Sequence, residues 1–115
     1  MNENKATIVQ KVYELLKDSI PILNKFPRNQ RFTLGDRIQN QLSDLLEVYI
    51  QAYYVPPVQK KPLLHQANIQ LEILRYYFRL CFDLGLYSSA RYQEFAEKVH
   101  EIGRMTGGWL KTIEQ

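Results

Sequence analysis

From Ile8 to Ile113 the apolar residues recur every three or four positions, and nowhere do they alternate with polar residues in the two-residue rhythm of a half-buried strand. That rhythm confines the chain to helices. It is interrupted at "PRNQRF" (27–32), at "VPPVQKKP" (55–62) and at Gly85 with the two serines behind it, which divides the sequence into four helical segments.

The first segment runs from about Ala6 to Phe26, with Ile8, Val12, Leu15, Leu16, Ser19, Leu23 and Phe26 on one stripe. Pro21 lies inside it, where the ring removes one backbone hydrogen bond and crowds the carbonyl of Lys17; a kink or a break is expected there, and Pro27 ends the helix. The second segment is expected to start at Leu34, with Thr33 as N-cap and Asp36 three positions later in a capping-box-like arrangement. Its stripe is Leu34, Ile38, Leu42, Leu45, Tyr49, Ala52 and Tyr53. The three prolines of "VPPVQKKP" predict a short stiff connection. A third helix follows over about Leu63 to Leu84, with Gly85 as a left-handed cap. The fourth is capped by Ser88 or Ser89 and reaches about Ile113, its stripe comprising Tyr92, Phe95, Ala96, Val99, Ile102, Gly103, Thr106, Leu110 and Ile113. Gly103 and Gly107 thin one strip for close helix contact. Four helices of about 20 residues, each about 30 Å long, make an up-down-up-down four-helix bundle the natural architecture, with residues 1–115 as one domain.

The third helix carries more apolar surface than a bundle needs. At about 100° per residue, Ala67, Leu71, Leu74, Phe78, Cys81 and Phe82 form one core stripe. Ile69, Ile73, Tyr76, Leu80 and Leu84 fall on the opposite side with Tyr77 beside them, so a homo-oligomer that covers them is expected. The competing reading is that neighbouring helices flank this one broadly. Between the two arcs run Asn68, Glu72, Arg75, Arg79 and Asp83. The arginines either form ion pairs with Glu72 and Asp83, or line a subunit seam and offer bidentate donors to phosphate or to a partner's carboxylates.

Composition narrows the chemistry. One cysteine, Cys81, forms no internal disulfide and no thiolate cage. The start "MNENKATIVQKVY" has no apolar leader, and no run reaches the ~18 apolar residues that span a bilayer, so a cytoplasmic protein without a membrane partner is expected. Glu97 and His100 form an E-x-x-H, the spacing helical bundles use for di-iron ligands, but they point to the polar side, and the second such pair that a di-metal site needs is missing. Cys81 lies in the core stripe, and the Gly107-Gly108 pair either aids packing or ends the helix early. No metal, no cofactor and no catalytic residue is expected. The net charge is only +3, yet Lys25, Arg28, Arg31 and Arg37 gather around the first loop with Asp36 as their only acid, and Lys60 and Lys61 sit in the proline loop. Oligomerisation would multiply both patches, which favours RNA or DNA held through its phosphates.

Taken together, "FPRNQRFTLGDRIQNQL" (26–42), "LLHQANIQLEILRYYFRL" (63–80), "DLGLYSSARYQEF" (83–95) and "EIGRMTGGWLK" (101–111) resemble the Avd family, the accessory variability determinants of diversity-generating retroelements. Pro21 with Pro27, the Arg75 and Arg79 pair and "GR" followed by "GGW" agree with that pattern. The resemblance implies a non-catalytic, barrel-like homopentamer that binds the element's reverse transcriptase and associates with nucleic acid while a template RNA is copied. It implies that Arg75 and Arg79 hold a seam or an inner surface. It also implies that Lys25, Arg28, Arg31, Arg37, Lys60, Lys61 and Arg104 present charge to RNA, to DNA or to the polymerase. "FPRNQRFTLGDRIQ" also suits the four-helix-bundle proteins encoded by intervening sequences in large-subunit ribosomal RNA genes, the alternative being a structural, ribosome- or RNA-associated bundle. That group continues from its second helix into an Asn-Ile-Ala-Glu-Gly-like stretch, where this chain has "VYIQAYYVPPVQKKPLL", which favours the Avd type.

Overall fold

The computed structural model describes residues 3–114, and among them there are only helices and short connections. The four long helices are α1 (Glu3–Leu23), α2 (Asp36–Tyr54), α3 (Pro57–Asp83) and α4 (Ser89–Glu114). Each packs on its sequence neighbour, and α4 closes back on α1. Ile8, Val12 and Leu15 from α1, Ile38, Leu42 and Tyr49 from α2, Leu64, Leu74 and Phe78 from α3, and Phe95, Val99 and Ile102 from α4 are all buried in one core. The apolar stripes read from the sequence are thus the faces that meet.

The helix ends depart from the sequence reading in three places. Pro21 lies within α1 without breaking it, as a kinked helix allows, and the helix ends at Leu23 rather than at Phe26. The chain then tightens through Lys25 N to Ile22 O and Phe26 N to Leu23 O, both 3.1 Å.

Thr33 is not an N-cap. Pro27 starts the next helical stretch instead, its carbonyl accepting from Gln30 N at 3.0 Å and Arg31 N at 2.8 Å. A turn at Arg28–Gln30 and a π-helical turn at Arg31–Gly35 run into α2 without interruption. In the π turn, Asp36 N–H reaches the carbonyl of Arg31, five residues back. Thr33 Oγ1 donates to Asn29 O at 2.6 Å, the back-bond of a threonine inside a helix.

The proline stretch is also mostly helix, since α3 begins at Pro57 and passes through Pro62. Proline is at home in a first helical turn, where its missing N–H has no intrahelical partner, and only Pro62 forfeits a bond. The connection shrinks to Val55 and Pro56.

Two ends agree with expectation. Gly85 has φ of 76°, and Leu86 N to Cys81 O (2.8 Å) with Gly85 N to Phe82 O (3.0 Å) complete a Schellman motif. Ser88 Oγ accepts from Arg91 N at 3.1 Å and caps α4. The Gly107-Gly108 pair neither ends α4 nor admits a close neighbour: the helix continues to Glu114, and a Cβ on either glycine would meet nothing within 4 Å. Trp109, outside the stripe read for this helix, is buried.

A buried polar link crosses the core between α2 and α4. Thr106 Oγ1 donates to Ile102 O at 2.7 Å, which uses its only proton, so Tyr49 is the donor in the 2.6 Å contact between Tyr49 Oη and Thr106 Oγ1. Burial pushes the Tyr49 phenol from 10.0 up to about 12. Burial likewise pushes the Cys81 thiol from 9.0 up to about 12 and raises the Tyr87 phenol. Thr106→Val leaves the Tyr49 donor without its acceptor and should cost about 1–3 kcal/mol, read as a lower urea midpoint at unchanged m-value. For all three groups the folded state binds its proton more tightly than the unfolded chain. Their stabilisation is therefore complete below about pH 9 and is lost as the pH rises toward 12. Urea midpoints measured from pH 8 to 11.5 should fall across that window, and a flat profile would contradict this.

Candidate functional site

Because α3 turns Leu64, Ala67, Leu71, Leu74, Phe78 and Cys81 into the core, its opposite face is left outside. Ile69 and Tyr76 are 64% exposed, Leu84 56%, and Ile73 and Leu80 41% each. Tyr77 differs from the rest: it is half-buried and packs against the core. Phe82, read as a core residue, is 39% exposed and stacks on Tyr92 with ring centroids 5.0 Å apart. The surplus apolar arc is therefore a continuous outer strip along α3.

Beside it, Arg75 and Arg79 leave the same helix but have different surroundings. Arg75 Nη1 lies 3.3 Å from Glu72 Oε1, and Arg79 Nε lies 3.8 Å from Asp83 Oδ2, beyond hydrogen-bond reach. Both pairs are solvent-exposed, so each contributes only about 0.2–0.5 kcal/mol and leaves its guanidinium free to exchange partners. Arg75 bends across to α4. A Cβ on Gly103 would stand 3.2 Å from Arg75 Nη2, so the missing side chain is what lets the guanidinium approach. Asn68, Leu71, Glu72, Arg75, His100, Gly103 and Arg104 line the resulting open groove of about 490 Å³. Arg104 thus joins Arg75, while Arg79 lies outside the groove.

The basic first loop sits at the end of the bundle where α3 turns into α4, since the Phe26 and Tyr87 rings meet at 5.9 Å. Lys25 and Arg28 are exposed there, with Arg31 half-buried. Arg28 and Arg31 bring their guanidinium carbons 5.9 and 4.5 Å from the centre of the Phe32 ring. Arg37 is set apart, sharing a shallow groove with Thr33, Asp36, Asn40, Gln41 and Asp44, where two carboxylates offset it.

This four-helix framework extends over the whole of a sequence match: residues 6–113 fit the bAvd-like family. The chain belongs to that family. A comparison with curated proteins gave no match. In this bAvd-like chain the match takes in nearly all of the four long helices, both loops with basic residues and the Arg75 groove.

Among the described residues, no three His, Cys, Asp or Glu side chains gather where a metal ion could be held, and no helix is long and apolar enough to cross a membrane. Glu97 and His100 are both exposed, His100 at the Arg75 groove. Cys81 is buried, and its raised pKa keeps it a thiol at neutral pH.

Lys60, read from the sequence as a phosphate contact, is engaged with the backbone of α2. Its Nζ donates to Ala52 O at 2.8 Å and Tyr53 O at 3.0 Å, satisfying the last carbonyls of α2 from the first turn of α3. Lys61 is exposed beside it. The sequence reading could not separate the two lysines, because the cap depends on α3 beginning at Pro57. Lys60→Ala should cost about 1–2 kcal/mol of stability by urea unfolding, and an unchanged midpoint would remove its capping role.

Proposed function

We propose that this protein is a non-catalytic accessory factor of a diversity-generating retroelement, binding the reverse transcriptase and the template RNA, and also DNA, during mutagenic copying. Membership of the bAvd-like family carries the reading, and the outer strip of α3 supports the assembly it requires. The proposed subunit is an up-down-up-down bundle. That arrangement accords with Lys11 Nζ at 2.8 Å from Glu101 Oε1 and Lys98 Nζ at 3.5 Å from Asp18 Oδ2, contacts in which α1 and α4 run in opposite directions. Subunits join as a homo-oligomer, a pentameric barrel in this reading, by covering Ile69, Ile73, Tyr76, Leu80 and Leu84. Five copies would repeat each basic patch around the ring, so a modest charge per chain becomes a multivalent phosphate-binding surface. The whole operates in the cytoplasm beside the polymerase.

Arg75 and Arg79 are assigned to the polymerase contact or the subunit seam, where a guanidinium meets a carboxylate or phosphate with two parallel donors. The full chain co-expressed with the element's reverse transcriptase should copurify with it. Its mass by size-exclusion chromatography with light scattering should be a multiple of 13.7 kDa. Arg75→Ala with Arg79→Ala should weaken copurification or assembly while leaving the thermal midpoint within the range of ordinary surface substitutions. Normal copurification and normal oligomer mass in the double variant would remove that assignment. A monomeric wild-type protein would remove the oligomer.

A further inference from the structure

The π-helical turn holds out an aromatic ring that the fold does not use. Phe32 is 56% exposed and belongs neither to the buried core nor to the partly buried residues packed around it. Gly35 is buried near Phe26 and the carbonyl of Leu23, so the loop is anchored by that glycine rather than by the phenylalanine.

What surrounds the ring is positive. Arg31 stands 4.5 Å and Arg28 5.9 Å from its centre, and among the described residues neither guanidinium is paired with a carboxylate. From Asn24 to Asn40 the sequence has Lys25, Arg28, Arg31 and Arg37 against the single acid Asp36. An exposed ring flanked by free guanidinium groups has two uses for an unpaired nucleotide. The base finds a π surface and the planes of the arginines, and its phosphate finds charge. A duplex offers the charge contact but keeps its bases stacked on one another, so it gains only part of that energy.

We infer that Phe32, with Arg28 and Arg31, is a stacking platform for a base of single-stranded nucleic acid. The inference rests on the reading that the protein binds RNA, and adds to it which form of RNA is held and by which contact. The ring supplies affinity for unpaired bases without reading their identity, because every base has a π face. The arginines supply the salt-dependent part. The π turn sets the platform by adding one residue to the helical register just before α2, which leaves Phe32 outside while Gly35 packs inside.

The test uses fluorescence anisotropy of the full chain with a fluorescein-labelled single-stranded RNA and with the duplex of the same sequence, each over a range of salt concentrations. Phe32→Ala should weaken single-strand binding by about fivefold or more, change duplex binding little, and leave the slope of log affinity against log salt intact. Phe32→Trp should restore the single-strand affinity. Arg28→Ala with Arg31→Ala should reduce that slope by about 0.7 for each phosphate that is no longer neutralised. Equal binding of single strands by wild type and Phe32→Ala overturns the platform and leaves the RNA-binding reading in place. No binding of either RNA by the wild type overturns both. An altered oligomer mass or failed polymerase copurification in Phe32→Ala, with single-strand affinity intact, assigns the ring to a protein contact and likewise overturns the platform.

Discussion

A helix in a four-helix bundle can bury only one arc of its circumference, and α3 is apolar on two. Everything about the outer surface follows from which arc the bundle takes. Leu64, Leu71, Leu74 and Phe78 meet α2 and α4, while Phe78, Tyr87 and Phe95 add an aromatic cluster with ring centroids 5.4 to 5.8 Å apart. Once those rings are locked together, α3 cannot rotate to hide its other side without opening the core. Ile69, Tyr76 and Leu84 are therefore held outward by the same packing that stabilises the bundle, and the narrow polar strip with Arg75 is fixed at the boundary between the two arcs.

Helical periodicity made the interior legible in the sequence. Ile8, Val12, Ile38, Leu42, Phe95 and Val99 all fall where a 3.6-residue repeat puts them, and Gly85 and Ser88 mark their boundary by conformational and hydrogen-bonding demands that few other residues meet. Proline and threonine were less informative. Each is compatible with both the outside and the first turns of a helix, so Thr33, Pro57 and Pro62 suggested boundaries several residues later than those observed.

Site residues were legible as types rather than as groups. The four-residue spacing of Arg75 and Arg79 places both on one side of α3, but does not reveal that Gly103 leaves room for Arg75 beside Arg104 and His100. That approach depends on a neighbouring helix, as does the use of Lys60 as a cap. Phe32, a single apolar residue in a loop, gives no periodic signal; its meaning comes from exposure and from the two arginines beside it. The sequence cue is its place directly after the two arginines of "PRNQRF".

The corner between α2 and α3 has a mechanical character that neither helix has alone. Only Val55 and Pro56 separate the two helices, and Lys60 reaches back over that gap to grip the backbone at Ala52 and Tyr53. A two-residue hinge would ordinarily be the softest point of a helical hairpin, but here an ammonium group works as a brace across it. Load applied to the outward face of α3 is therefore passed into α2 as a rigid elbow rather than absorbed by bending at the joint.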